Sequence, residues 1–178
     1  VLEKYGRGPH LIEFELNIWN DDKPKQHFFT IELAPIDLMP ATVYFFLEQV
    51  ERGLWRGTSF HMNAHHVILA RPLSGNGQVS KRADFMESGF GVLPFAEHSP
   101  QYPHLPYTMG FMTPRDSSSN PATFYINKQF NPQHDKEPCF GTVVIGRSTI
   151  DTLNTLRGHD HDPSRCRRRS PPPAAEPP

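Results

Sequence analysis

The sequence predicts an all-β domain, a barrel or sandwich with two peripheral helices. Two observations lead there. Short runs of alternating or continuously apolar residues recur along most of the chain, separated by turn-forming clusters. Only two stretches carry helical spacing. Many short strands with few helices pack as a closed or doubled sheet.

The elements follow in chain order. HLIEFELNIW (10–19) places Ile12, Phe14, Leu16 and Ile18 on one face and Glu13, Glu15 and Asn17 on the other. That is a half-buried strand. NDDKPK (20–25) is a turn and HFFTIEL (27–33) a second strand, so the pair reads as an antiparallel hairpin with a longish loop. After the break between Pro35 and Pro40, ATVYFFLEQVERG (41–53) sets Val43, Phe46, Leu47 and Val50 at helical spacing. Pro40 suits the first turn of this helix and Gly53 its stop.

TSFHM (58–62) and HVILA (66–70) are strand candidates, and 73–91 reads as a long surface loop. YTMGFM (107–112), TFYIN (123–127) and CFGTVVIG (139–146) are strands; 115–122 and 130–138 are the loops between them. STIDTLNTLRG (148–158) is the second helix, with Ile150, Leu153 and Leu156 as its stripe, Ser148 and Asp151 in a capping arrangement and Gly158 as its end. Residues 159–178 have no periodicity and are expected to be a disordered tail rich in Pro and Arg.

A chain of 178 residues suggests one domain with a real core. Its formal charge of −1 gives no electrostatic case for a nucleic-acid partner. No apolar run is long enough to span a membrane, and no targeting segment is visible, so the compartment is unknown. The chain begins at Val1, which is compatible with its being part of a larger protein; otherwise a monomer is expected. Of the two cysteines, Cys139 is expected to be a buried free thiol and Cys166 an exposed one.

GTSFHMNAHHVILAR (57–71) concentrates His61, His65 and His66 beside Met62. Adjacent His65 and His66 would face opposite ways in a strand, and no carboxylate or thiolate stands near, so no metal site is expected. His61 reads as a strand residue, and His65 and His66 as turn or surface residues. His159–Asp162 alternates His and Asp, a set able to bind a divalent ion weakly, but a solvated polar stretch is the expectation. The same holds for the run Arg167–Arg169. Ser117–Ser119 lack any arrangement to activate a nucleophile.

The order of these pieces resembles the cyclophilin family of peptidyl-prolyl isomerases, from about Gly8 to Gly158. IELAPIDLMPATVYFFLEQVERG resembles that family's second strand and first helix. GTSFH (57–61) resembles the stretch entering its active-site strand, TFYI (123–126) its Gln-Phe-Phe-Ile strand, and CFGTVVIG (139–146) the strand before its second helix. The resemblance implies an eight-stranded antiparallel barrel capped by two helices, here with the last strand missing, since no strand-like run follows Gly158. It also implies the site. The family's catalytic arginine falls at Met62 and its supporting glutamine at Ala70. The apolar pair of the proline pocket falls at Val67 and Ile68, and the pocket phenylalanine at Tyr125. Substrate-backbone contacts fall near Thr113 and Pro114. The family's loop tryptophan and histidine have no clear match, although Gln133, His134 and Glu137 lie in that region.

Rotation about an Xaa-Pro bond is slow because amide resonance must be lost. A donor aimed at the prolyl nitrogen lowers that barrier; methionine has none. The expectation is therefore a binding module for proline-containing peptide or protein segments, with isomerase activity weak or absent and no cofactor. The alternative is an active isomerase with a rerouted donor, Arg115 before Arg71. A third reading is a structural domain of a larger protein.

Overall fold

The computed structural model describes residues 1–20, 23–112 and 123–156. Among these residues seven strands form one antiparallel sheet: β1 (Leu11–Asn20), β2 (Lys23–Leu33), β3 (Thr58–Asn63), β4 (Val67–Ser74), β5 (Thr108–Met112), β6 (Thr123–Asn127) and β7 (Cys139–Ile145). Their order across the sheet is β1-β2-β7-β5-β6-β4-β3, so β1 and β3 are its two ends. The helices are α1 (Leu2–Tyr5), α2 (Pro40–Glu51), α3 (Arg82–Glu87) and α4 (Arg147–Thr155). No described helix is long and apolar enough to cross a membrane.

The alternation in β1 turns Ile12, Phe14, Leu16 and Ile18 inward and leaves Glu13, Glu15 and Asn17 exposed. The loop expected after β1 is shorter than its composition suggested, because pairing continues to Asn20↔Lys23. Pro24 is tolerated there because β2 meets β7 only through Thr30–Leu33, leaving the Pro24 end at an edge.

Proline begins α2, and Gly53 beyond its C-cap adopts φ 66, the left-handed stop that the sequence suggested. Val43, Phe46 and Leu47 are buried, and so are Phe45, Glu48 and Gln49, because the helix is covered on more than one side. Glu97 caps α2 from outside: its carboxylate accepts the backbone amides of Ala41 and Thr42 at 3.1 and 2.6 Å.

The core is aromatic. Phe14 stacks on Phe29 at 4.7 Å and Phe111 on Phe140 at 4.5 Å, with Phe46 edge-on to Phe111, Phe124 and Phe140.

Two further expectations change. The stretch 73–91 is not all loop, because α3 buries Phe85 edge-on against Trp55 at 4.9 Å. A six-residue helix with a single buried side chain carries too little periodicity to be read. The capping role given to Ser148 belongs to Gly146, which precedes α4 at φ 77 with no side-chain cap. A Cβ on Gly146 would run into the Phe28 carbonyl oxygen. Asp151 instead accepts the Tyr107 hydroxyl at 2.9 Å. The tail from 159, Cys166 and the loop 115–122 lie outside the described residues.

Candidate functional site

β3, β4 and β6 carry the residues that the sequence singled out. Val67 and Leu69 project from β4 and Tyr125 from β6 to the outer face of the sheet, where all three are buried together. Met62, Ala64 and Met112, each half-buried, pack over them. Leu69 is the centre of this cluster, paired with Met62 on one side and Tyr125 on the other.

Met62 reaches the outer face through an irregularity. Phe60 pairs with Ala70 and Met62 with Leu69, so two steps along β3 oppose one along β4. This bulge at His61 reverses the side on which the next residue emerges. Phe60 therefore packs into the core and Met62 against the Tyr125 cluster.

Strand alternation sends Ile68 and Ala70 the other way, into the main core. The structure thus brings Met62, Val67 and Tyr125 together, with Leu69 in addition, and places Ile68 and Ala70 behind them. Thr113, Pro114 and Arg115 lie outside the described residues. Arg71 is exposed, two positions beyond Leu69 and hence on its face of β4.

Tyr125 is fully buried. Its ring lies 4.9 Å from His134 and 6.1 Å from His104. Gly110 makes room for it, since a Cβ there would sit 2.6 Å from the Tyr125 hydroxyl. Burial, with Glu137 adding to it, pushes the phenol far above its ordinary range, so it stays neutral.

The hydrogen bonds fix the His104 tautomer. Nε2 lies 3.0 Å from the Glu137 carbonyl oxygen, which can only accept, so Nε2 carries the proton. Nδ1 then accepts from the Tyr125 hydroxyl at 3.4 Å and from Asn127 Nδ2 at 3.3 Å. Burial lowers the His104 pKa, in keeping with this neutral form. Asn127 also donates to Thr108 Oγ1 at 2.9 Å and accepts from Asn131 Nδ2 at 2.7 Å. This buried network ties the loop 128–138 down over Tyr125. His104 and the two asparagines escaped the sequence reading because they lie in irregular or loop-flanking segments with no periodic signal.

His134 bonds Glu137 through Nδ1 at 2.8 Å, and its Nε2 is buried without a partner among the described residues. His66 stacks on His134 at 5.4 Å. Burial lowers the His66 pKa, helped by His134, His65 and Lys128. His65 is exposed and His61 half-buried. Among the described residues no group of three or more His, Cys, Asp or Glu is placed to hold a metal ion. Cys139 is a buried free thiol, pushed up to about 11 by burial.

The family model for cyclophilin type peptidyl-prolyl cis-trans isomerases matches residues 22–169. Two crystal structures of a cyclophilin type peptidyl-prolyl cis-trans isomerase from Cryptosporidium parvum are similar in fold. One, at 19% identity and a TM-score of 0.57, covers 73% of this chain and 79% of its own. The other, determined in the presence of the dipeptide Ala-Pro, has a TM-score of 0.56 at 19% identity and covers 73% of this chain and 80% of its own. No curated protein matches the chain.

Proposed function

The chain belongs to the cyclophilin-type peptidyl-prolyl cis-trans isomerase family, and from that premise we propose that it is a binding module. It holds proline-containing peptide or protein segments, and its isomerase activity is weak or absent. The observation that carries this reading is Met62. It stands where the resemblance places the catalytic arginine, and its side chain packs on the Val67, Leu69 and Tyr125 cluster.

Catalysis of Xaa-Pro rotation needs a donor poised for the prolyl nitrogen as conjugation is lost. A thioether is only a weak acceptor. Loss of such a donor costs about 10²–10³ in rate in other enzymes. Ala70, at the supporting glutamine's place, faces the core and has no amide to offer.

Binding makes a smaller demand. Met62, Ala64 and Met112 form a half-exposed apolar surface over a buried floor. Methionine adapts its shape to an incoming ring. A proline segment lies on this surface rather than in a deep recess, because Tyr125 and Leu69 already fill the floor. Thr113, next along the chain from Met112, is the proposed backbone contact.

A second reading has one supporting observation. Arg71 shares a face with Leu69, the strand partner of Met62, which makes its guanidinium the candidate for a rerouted donor. Arg115 keeps the same role by its place in the sequence.

NMR of labelled protein with a short Ala-Pro-containing peptide tests both. The expected result is shift changes at Met62, Ala64 and Met112 with no cis–trans exchange peaks above the uncatalysed background. Exchange peaks that vanish in Arg71→Ala or Arg115→Ala would establish the second reading. No shift change at any peptide concentration would remove proline binding.

A further inference from the structure

Among the described residues the sheet does not close. β1 and β3 are its two ends, and neither has a second strand partner among the described residues. Both ends nevertheless border the same interior. Phe14 of β1 comes within 5.7 Å of Phe124, and Phe60 of β3 within 5.8 Å of the same ring. Ile12, Phe14, Leu16 and Phe60 point inward yet are only half-buried, because nothing described covers them from the open side. A cavity of about 270 Å³ runs along β3, lined by Phe60 and Met62 with Ile68, Leu153 and Leu156. Asn63 fixes its far wall by donating to the carbonyls of Leu153, Asn154 and Leu156 at the end of α4.

We propose that the gap between β1 and β3 is a docking slot for an extended segment of a second, different polypeptide whose residues alternate between apolar and basic. The shape of the occupant follows from the edges. An edge strand offers a row of backbone donors and acceptors that only another extended backbone matches along its length. Its apolar residues follow from the half-buried inward faces, which need side chains at every second position.

Its charge follows from the outward face. Glu13 and Glu15 are exposed on β1, with Glu32 beside them on β2. Among the described residues Glu13 and Glu15 enter no ion pair; Glu15 only accepts from the neutral Gln26 amide at 2.5 Å. Lysine or arginine opposite them completes cross-strand pairs. The same carboxylates disfavour a second copy of this chain. Antiparallel pairing of β1 with its own copy about Phe14 would set Glu13 opposite Glu15, a destabilising arrangement.

The test uses the full chain and a labelled ten-residue peptide of alternating lysine and valine. Its control is the same peptide N-methylated at alternate residues, which can pair along one edge only and so cannot bridge β1 and β3. Binding is read by fluorescence anisotropy and its place by amide hydrogen exchange. The expected result is saturable binding that newly protects β1 and β3 amides. It weakens at least tenfold for the methylated peptide and at least tenfold for the Glu13→Lys/Glu15→Lys variant, whose changes are on the exposed face. Equal binding of the methylated peptide, protection on another face, or no binding would overturn the proposal. So would β1 and β3 amides already protected without peptide. Protection that survives dilution would assign the slot to the chain's own 157–178, and protection lost on dilution to a second copy.

Discussion

The ring of Tyr125 packs against the ring of His134 at 4.9 Å between centroids, inclined by 38°. The contact joins strand β6 to the loop 128–138 and covers Tyr125, whose ring is flanked on β5 by Gly110. Tyr125 is therefore part of a packed layer, and substitutions that displace it should be felt in stability as well as in binding.

Gly110→Ala tests this packing. The added methyl would meet the Tyr125 hydroxyl at 2.6 Å and the Pro138 carbonyl at 3.0 Å. Neither is the free end of a flexible chain. The expected cost is about 1–3 kcal/mol, typical of an overpacked interior, read from the urea midpoint at constant m. A midpoint unchanged from the parent would mean that the layer over Tyr125 is loose.

Met62→Arg restores a donor without restoring its surroundings. The residue in the glutamine's place, Ala70, faces the core, and Val67, Leu69 and Tyr125 leave little recess for a prolyl ring. Isomerisation, followed by exchange peaks of an Ala-Pro peptide, is expected to rise less than about tenfold, short of the 10²–10³ such a donor is worth in a finished site. A gain of about a hundredfold would show that only the donor is missing.

Acid should loosen the loop over Tyr125. His66 and His104 both have folded pKa values lowered by burial. The unfolded chain therefore binds protons more readily than the folded one below about 6.5. Stability from these groups is complete above that pH and is lost as pH falls below it toward the folded values. Urea midpoints should decline from pH 7.5 to pH 5.5, and His66→Gln should decline less steeply. Identical slopes for variant and parent would exclude His66 as a contributor.

Glu48 governs a second, more acidic window. Burial alone would raise its pKa, but hydrogen bonds from Lys4, Tyr5, Arg52 and Tyr44 outweigh it and hold the carboxyl at about 2. Lys4 Nζ lies 2.5 Å and Tyr5 Oη 3.0 Å from Glu48 Oε1, which ties α1 to α2. With the folded value depressed, this stability is present above the ordinary carboxylate range and disappears as pH falls through it toward 2. Glu48→Gln should lower Tm at pH 7 and narrow the gap to the parent at pH 3. A gap that is constant with pH would mean that the carboxylate charge does not hold the helix.

Much of the fold was legible because it is written locally. The alternation Ile12-Phe14-Leu16-Ile18 is a strand face, and the spacing Val43-Phe46-Leu47-Val50 is a helix face, whatever lies across from them. The short helix around Phe85 was not legible, since one buried ring has no period. Gly146 displaced Ser148 at the start of α4 because the close approach of the Phe28 carbonyl, distant in sequence, leaves no room for a Cβ.

The site divides along the same line. That position 62 carries methionine, and so has no donor, is a property of the sequence alone. So are the family resemblance and the absence of a strand-like run after Gly158. Which way Met62 points was decided in three dimensions. In a regular strand it would share the inward face with Phe60, but one extra residue at His61 sends it outward to Leu69 and Tyr125. The choice of Leu69 over Ile68 as Tyr125's neighbour, and the cover that His104 and His134 give that ring, likewise depend on register and on loop packing. Local patterns determine which faces exist; only pairing between distant segments determines what each face meets.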